Sequence, residues 1–238
     1  MGRHGTIAGR KAAQDAKRAA NFTKYARVIT IAAKAGGDPD YNVALKHAID
    51  RAKGINMPND KIQKAIKKGT GELDGELLVE GSFEGYGAGG VAVIVDVLTD
   101  NNNRTTAFVK HAFDKYNGNL GKPGCVSYMF DQKGQIIIDR EECDMDADDL
   151  MMMALDAGAE DFSEEEDSFE ILTNPDDFSA VREALEKEGV PMAEAEITMI
   201  PQNYVSLSDE NDIKYLNRTL DLLDEDDDVQ AVYHNWDE

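Results

Sequence analysis

Cysteine, proline and tryptophan are scarce in this 238-residue chain, at two, six and one, and aromatic residues make up only 7% of it. No apolar run approaches the roughly 18 residues that a bilayer crossing requires, which excludes a transmembrane helix. Two thiols, Cys125 and Cys143, cannot build a disulfide framework and suit a reducing compartment. The opening Met1-Gly2-Arg3-His4-Gly5-Thr6 leads into a polar, alanine-rich stretch rather than an apolar core, so it does not read as a secretory signal. The Met-Gly start is a weak match to a myristoylation site. With 42% apolar and 30% charged residues, the composition is that of a globular protein, expected to be cytoplasmic.

Basic residues are few overall, 25 against 47 acidic ones, and they are unevenly placed. Up to Gly71, fifteen Lys and Arg face five Asp and Glu, a net of +10; the remainder holds ten against forty-two, a net of −32. A basic head on an acidic body points to an anionic partner for the head. The body repels phosphate, so any such contact has to be oriented, head inward and body away.

Residues 1–75 carry helical periodicity. Alanines at 12, 13, 16, 19 and 20 predict one helix over about 9–20. Phe22, Tyr25, Ala26, Ile29 and Ala33 form the inner stripe of a second helix, before the breaker Gly36-Gly37-Asp38-Pro39-Asp40. Leu45, Ala48, Ile49 and Ala52 mark a third. Pro58 opens a fourth, with Ile62, Ala65 and Ile66 inward and Gly69 as its C-cap. After Gly75 short strands alternate with single helices. Strands are expected at Leu77–Glu84, Val91–Leu98, Val126–Phe130, Gln135–Asp139, Phe169–Leu172, Ala195–Ile200, Tyr204–Leu207 and Val229–His234. Helices are expected at Arg104–Tyr116 (capped by Asp100), Asp146–Ala157, Asp176–Lys187 and Asp209–Leu223. This pattern predicts an α+β protein: an N-terminal helical bundle followed by two small α/β sandwich domains of the split βαβ kind.

Motifs suggestive of chemistry fail on context. Gly85-Tyr86-Gly87-Ala88-Gly89-Gly90 matches a dinucleotide fingerprint, but a strand follows it where a helix N-terminus is needed, so it reads as a turn. Gly121-Lys122-Pro123-Gly124 lacks the Lys-Ser/Thr pair of a phosphate loop. Asp144, Asp146 and Asp148 open like a calcium loop, but Asp149 and Leu155 stand where Gly and Glu belong. Glu164–Asp167 and Asp224–Asp228 read as solvated acidic faces, and Met151–Met153 as core packing. His4, His47, His111 and His234 have no ligand spacing, and Cys125 has no evident local base. No metal, cofactor or catalytic site is expected.

The basic head remains. Helical spacing places Arg10, Lys17, Lys24, Arg27, Lys34, Lys61, Lys64 and Lys68 on solvent faces, largely without acidic partners. With Arg3, Lys11, Arg18 and Lys67 they are the candidate nucleic-acid-binding residues, set apart from an ordinary solubilising surface by their three-to-one excess of one sign. Reversing Lys17, Arg18, Lys24 and Arg27 to Glu is expected to abolish binding and keep the helical signal. Arg104 and Lys110 are the next candidates.

Arg10-Lys11-Ala12-Ala13-Gln14-Asp15-Ala16-Lys17-Arg18 and Phe22-Thr23-Lys24 resemble the opening signature of the YebC/PmpR family. The match continues through Gly36–Pro39, Asn56–Pro58, Ile66–Gly71, Glu84–Gly87, Gly89–Ala92, Thr99–Thr105 and Gly118–Gly121. The resemblance implies three parts: a basic helical domain at 1–75, a middle α/β domain at 76–132 plus 202–238, and an acidic α/β domain inserted at 133–201. It implies no enzymatic activity and no cofactor. Members are regarded as DNA-binding transcriptional regulators, while mitochondrial relatives and some bacterial ones look like translation factors at the ribosome. Members commonly begin with a His-Ser-Lys-Trp stretch. Here His4-Gly5-Thr6-Ile7 stands instead, so the arm lacks a basic residue and an aromatic.

Three functions are weighed. A DNA-binding transcriptional regulator comes first. A ribosome-associated translation factor binding structured ribosomal RNA is the alternative, its acidic body facing basic protein surfaces. A metal-dependent nuclease is the least supported.

Overall fold

The computed structural model describes residues 22–74 and 77–237. The helix expected over 9–20 and the candidates Arg3, Arg10, Lys11, Lys17 and Arg18 lie outside the described residues. The chain divides into two compact units, one of residues 22–127 with 207–234 and one of 128–206 with 235–237. The architecture is α+β, a helical N-terminal region followed by two α/β sheet regions.

In the first unit the helices are α1 (Phe22–Ala32), α2 (Val43–Gly54) and α3 (Asn59–Gly69). Their apolar stripes close on one core of Ile29, Ala33, Leu45, Ala48, Ile49, Ala52, Met57, Ile62, Ala65 and Ile66, with Phe22, Tyr25 and Ala26 against its rim. Asn42 starts α2, its side chain accepting from the Leu45 N–H at 3.1 Å while its amide donates to the Ala32 and Gly36 carbonyls, both at 2.8 Å. α1 and α3 run side by side. The Thr30 hydroxyl donates to the Ala65 carbonyl at 3.2 Å. Farther on, a Cβ at position 69 would sit 2.6 Å from that of Ala33 and collide with the Thr30 carbonyl. Gly69 therefore lets the two helices approach, a packing role beyond the cap read from sequence.

The sheet of this unit is antiparallel, in the order β3-β1-β2-β9: Asn119–Leu120, Val79–Tyr86, Ala92–Thr99 and Val229–His234. α4 (Asn102–Lys115) and α7 (Glu210–Asp224) complete it, joined at the Tyr116 and Tyr215 rings, whose centroids are 6.4 Å apart. The glycine-rich Gly85–Gly90 stretch turns β1 into β2, with the Gly87 N–H on the Val91 carbonyl at 2.8 Å and Gly89 at φ 69°. It is the turn its context predicted.

The second unit contains β4 (Phe130–Asp139), α5 (Ala147–Asp156), β5 (Ala159–Glu164), β6 (Ser168–Thr173), α6 (Phe178–Lys187) and β7 (Glu194–Pro201). Its antiparallel sheet has the order β5-β6-β4-β7, the split βαβ arrangement expected. Ile136, Ile138, Phe169 and Ile171 face Leu150, Ala154, Val181 and Leu185 of the two helices. β8 (Val205–Ser206) pairs in parallel with β10 (Trp236–Asp237).

Several local expectations are corrected. Val126–Phe130 is not a strand: Ser127–Met129 forms a 3-10 turn, and β4 starts only at Phe130. The Glu84 carboxylate accepts the Gly124, Val126 and Ser127 N–H groups at 2.7, 2.9 and 2.8 Å, which removes them from any ladder. Acidic β5, with a register shift between Ala159 and Asp161, was not expected as a strand. Asn101 rather than Asp100 caps α4, accepting from the Arg104 N–H at 3.1 Å. Of the three consecutive methionines, Met153 packs on the core and Met152 is exposed.

Candidate nucleic-acid interface

Burying Ile62, Ala65 and Ile66 of α3 turns Lys61, Lys64 and Lys68 to the opposite side, at i, i+3 and i+7. Lys61, Lys64 and Lys67 are exposed and Lys68 is half-buried. Lys67 and Lys68 lie in the last helical turn, where the helix dipole favours cations. Lys61 Nζ stands 4.8 Å over the Phe22 ring, at the start of α1. Lys34 is exposed in the turn that ends α1. Lys34, Lys64, Lys67 and Lys68 form no ion pair with a described residue.

Lys24 and Arg27 depart from the expectation of solvent faces without acidic partners. Lys24 Nζ donates to the Asp224 carbonyl, at the C-terminal end of α7, at 2.7 Å. Arg27 Nη1 lies 2.6 Å from Asp228 Oδ1 and also donates to the Asp227 and Leu98 carbonyls at 2.7 and 3.1 Å. On the other side of the same carboxylate, Asp228 Oδ2 takes Arg104 Nη2 at 2.6 Å, Thr105 Oγ1 at 2.7 Å and Thr99 Oγ1 at 3.0 Å. Arg104 Nη2 also reaches Asp100 Oδ1 at 2.7 Å. One carboxylate thus clamps an arginine from the helical head and an arginine from α4.

Asp228 is 3% exposed, so reading Asp224–Asp228 as a uniformly solvated acidic face is corrected at this position. Burial pushes its carboxyl upward, but the hydrogen bonds from Arg104, Thr105, Arg27 and Thr99 outweigh it and hold the pKa down at about 2. Its hydrogen bonds to Asp228 and Asp100 push the Arg104 guanidinium upward. Charge patterning could not single out Asp228, because its partners stand 201, 124, 123 and 129 positions away. Lys110 is exposed on α4, outside this cluster.

Catalytic and metal readings find no support among the described residues. No group of three or more His, Cys, Asp or Glu is arranged to hold a metal ion. Asp146 is spent as the N-cap of α5, accepting from the Asp148 N–H at 3.0 Å. Burial and the Glu84 charge push the Cys125 thiol upward, away from the thiolate a nucleophile needs. No described helix is long and apolar enough to cross a membrane.

The sequence matches two family models, the TACO1/YebC protein N-terminal domain over residues 3–72 and the TACO1/YebC second and third domain over residues 78–236. It is 62% identical to a "Probable transcriptional regulatory protein" of Lachnoclostridium phytofermentans, over 98% of this chain and 96% of that one. A protein of the same description from Clostridioides difficile is 54% identical over 99% of each chain. The crystal structure of a conserved hypothetical protein from Aquifex aeolicus superposes with a TM-score of 0.81 at 44% identity, covering 94% of this chain and 90% of that one. Helical head, two antiparallel sheet units and near full-length sequence matches agree, and the chain belongs to the TACO1/YebC family.

Proposed function

We propose that this chain is a DNA-binding transcriptional regulator that holds phosphates through Lys34, Lys61, Lys64, Lys67 and Lys68. Arg3, Arg10, Lys11, Lys17 and Arg18 extend the same basic segment in sequence. TACO1/YebC proteins are non-enzymatic regulators, and this chain is one of them. The observation that carries the proposal is how the head divides its cations. Lys24 donates to the Asp224 carbonyl and Arg27 pairs with Asp228, whereas Lys34 and the α3 lysines form no ion pair with a described residue. Cations with no protein counter-ion are the ones that gain most from phosphate and from release of its condensed counterions. The names of the curated relatives support DNA as the target.

The second reading is a translation factor on structured ribosomal RNA. It is favoured by the −32 net charge beyond Gly71, which suits basic protein surfaces next to the nucleic acid. We also propose the domain division 1–75, 76–132 with 202–238, and 133–201.

Fluorescence anisotropy with a random DNA duplex and a structured ribosomal RNA fragment, each over a salt series, tests the proposal. DNA is expected to bind more tightly, with log K falling against log salt by about 0.9 per phosphate held. Lys61→Glu/Lys64→Glu/Lys68→Glu should lose binding and keep its helical circular dichroism. Arg27→Glu is unsuitable for this test because it sets a carboxylate against Asp228. A preference for RNA moves the site of action to the ribosome, and absence of binding to either at low salt overturns both readings.

A further inference from the structure

Tyr41 is 90% exposed, and its side chain forms no hydrogen bond or ring contact with a described residue. A ring this exposed, with no described side chain packed on it, has a face open for stacking. Its backbone is well held. The Tyr41 N–H donates to the Asp38 carbonyl at 3.2 Å, the Asp40 N–H to Asp38 Oδ1 at 3.0 Å, and the next residue, Asn42, ties Ala32 and Gly36 together. Val43, one residue on, is also exposed.

The surroundings of this loop are cationic on one side. A Cβ at position 37 would lie 2.7 Å from Thr70 Cγ2 and 3.5 Å from Ile66 Cγ2, so the loop rests on the last turn of α3, the turn that carries Lys67 and Lys68. Lys34 sits in the 3-10 turn Ala33–Ala35 that follows α1, and Ala33 of that turn packs on Gly69 of α3. Lys46 lies one turn into α2, its N–H on the Asn42 carbonyl at 2.9 Å. Asp38 and Asp40 are the acidic groups of the loop itself, and Asp38 is turned onto its own backbone by the Asp40 N–H. The opposite end of α1 holds Lys24 and Arg27 on the body. The loop that carries this exposed ring therefore packs against the turns that carry Lys34, Lys67 and Lys68, which form no ion pair with a described residue.

The geometry points to Tyr41 as a stacking platform for an unpaired nucleobase, with Lys34, Lys67 and Lys68 taking the flanking phosphates. An exposed ring on a loop next to cationic turns is what a single-stranded or looped segment recognises, whereas the stacked bases inside a duplex have no face to offer it. The inference rests on the proposed nucleic-acid binding and specifies the ligand class.

The test is anisotropy of the full chain, wild type, Tyr41→Ala and Tyr41→Phe, on an open-loop hairpin and on a blunt duplex of equal phosphate count. Each probe is made in DNA and in RNA, which tells the two sources of the base apart. Tyr41→Ala should weaken hairpin binding about tenfold and leave duplex binding unchanged, while Tyr41→Phe retains wild-type binding because the ring, not the hydroxyl, does the stacking. Unaltered hairpin binding by Tyr41→Ala, or equal losses on hairpin and duplex, overturns the platform and leaves nucleic-acid binding standing. Failure of the wild type to bind any of the four probes overturns both.

Discussion

Replacing Asp228 by Asn removes the charge that clamps Arg27 and Arg104 while keeping the shape of the side chain. Two independent routes give the size of the effect. The wild-type carboxyl is held from its ordinary 3.8 down to about 2, and a shift of just under two units corresponds to about 2.5 kcal/mol of stability at neutral pH. Removing one member of a buried ion pair costs about 3–5 kcal/mol, and the half-exposed Arg104 puts this case at the lower end. A loss of about 2–3 kcal/mol is therefore expected for Asp228→Asn at pH 7. The sign of the pH dependence follows from the depressed pKa. The contribution is fully present above the ordinary carboxyl pKa and is lost as pH falls through about 2. Urea unfolding of both proteins from pH 7 to pH 2 should show a gap that narrows below about pH 4 and closes near pH 2. Taking the difference cancels the other carboxylates. Hydrogen exchange gives the local readout, with α1 amides faster in the variant and β4 and β6 amides unchanged. A gap below about 0.5 kcal/mol at pH 7, or one independent of pH, would refute the clamp.

Glu84→Gln should loosen the 121–127 turn, because three N–H bonds to a charged acceptor are replaced by bonds to a weaker one, at a cost of about 1–3 kcal/mol. It also removes a charge that pushes the Cys125 thiol up, so Cys125 should react faster with a disulfide reagent relative to Cys143; an unchanged ratio counts against this account. Gly69→Ala should destabilise the head by about 1–3 kcal/mol through overpacking against Thr30 and Ala33. Helix propensity alone predicts a gain of about 1 kcal/mol, so thermal melts decide between the two by sign.

Where apolar spacing decides the outcome, the helices were legible from the chain alone. The Ile62, Ala65, Ile66 stripe and the Leu45, Ala48, Ile49, Ala52 stripe face inward as their period requires. β2, a β-branched run, is a strand as expected. Reading failed where a side chain distant in sequence intervenes. Val126 and Ser127 look like strand residues until Glu84, some forty positions earlier, takes their N–H groups. β5 was missed because Ala159-Glu160-Asp161-Phe162-Ser163-Glu164 carries its strand identity in backbone pairing with β6 rather than in apolar alternation. Of the site candidates, the α3 lysines could be placed on an outer face because their neighbours are apolar at helical spacing. Lys24 and Arg27 follow the same rule on α1 yet meet the body.

The sequence by itself determined the α+β class, the basic head with its acidic body, the helix faces and the family, because each depends on local period, composition or motif. Tertiary structure alone decided which of the described cations are paired. Charge is a property of a residue, whereas an ion pair is a property of two, and Arg27 and Asp228 are brought within 2.6 Å only by folding.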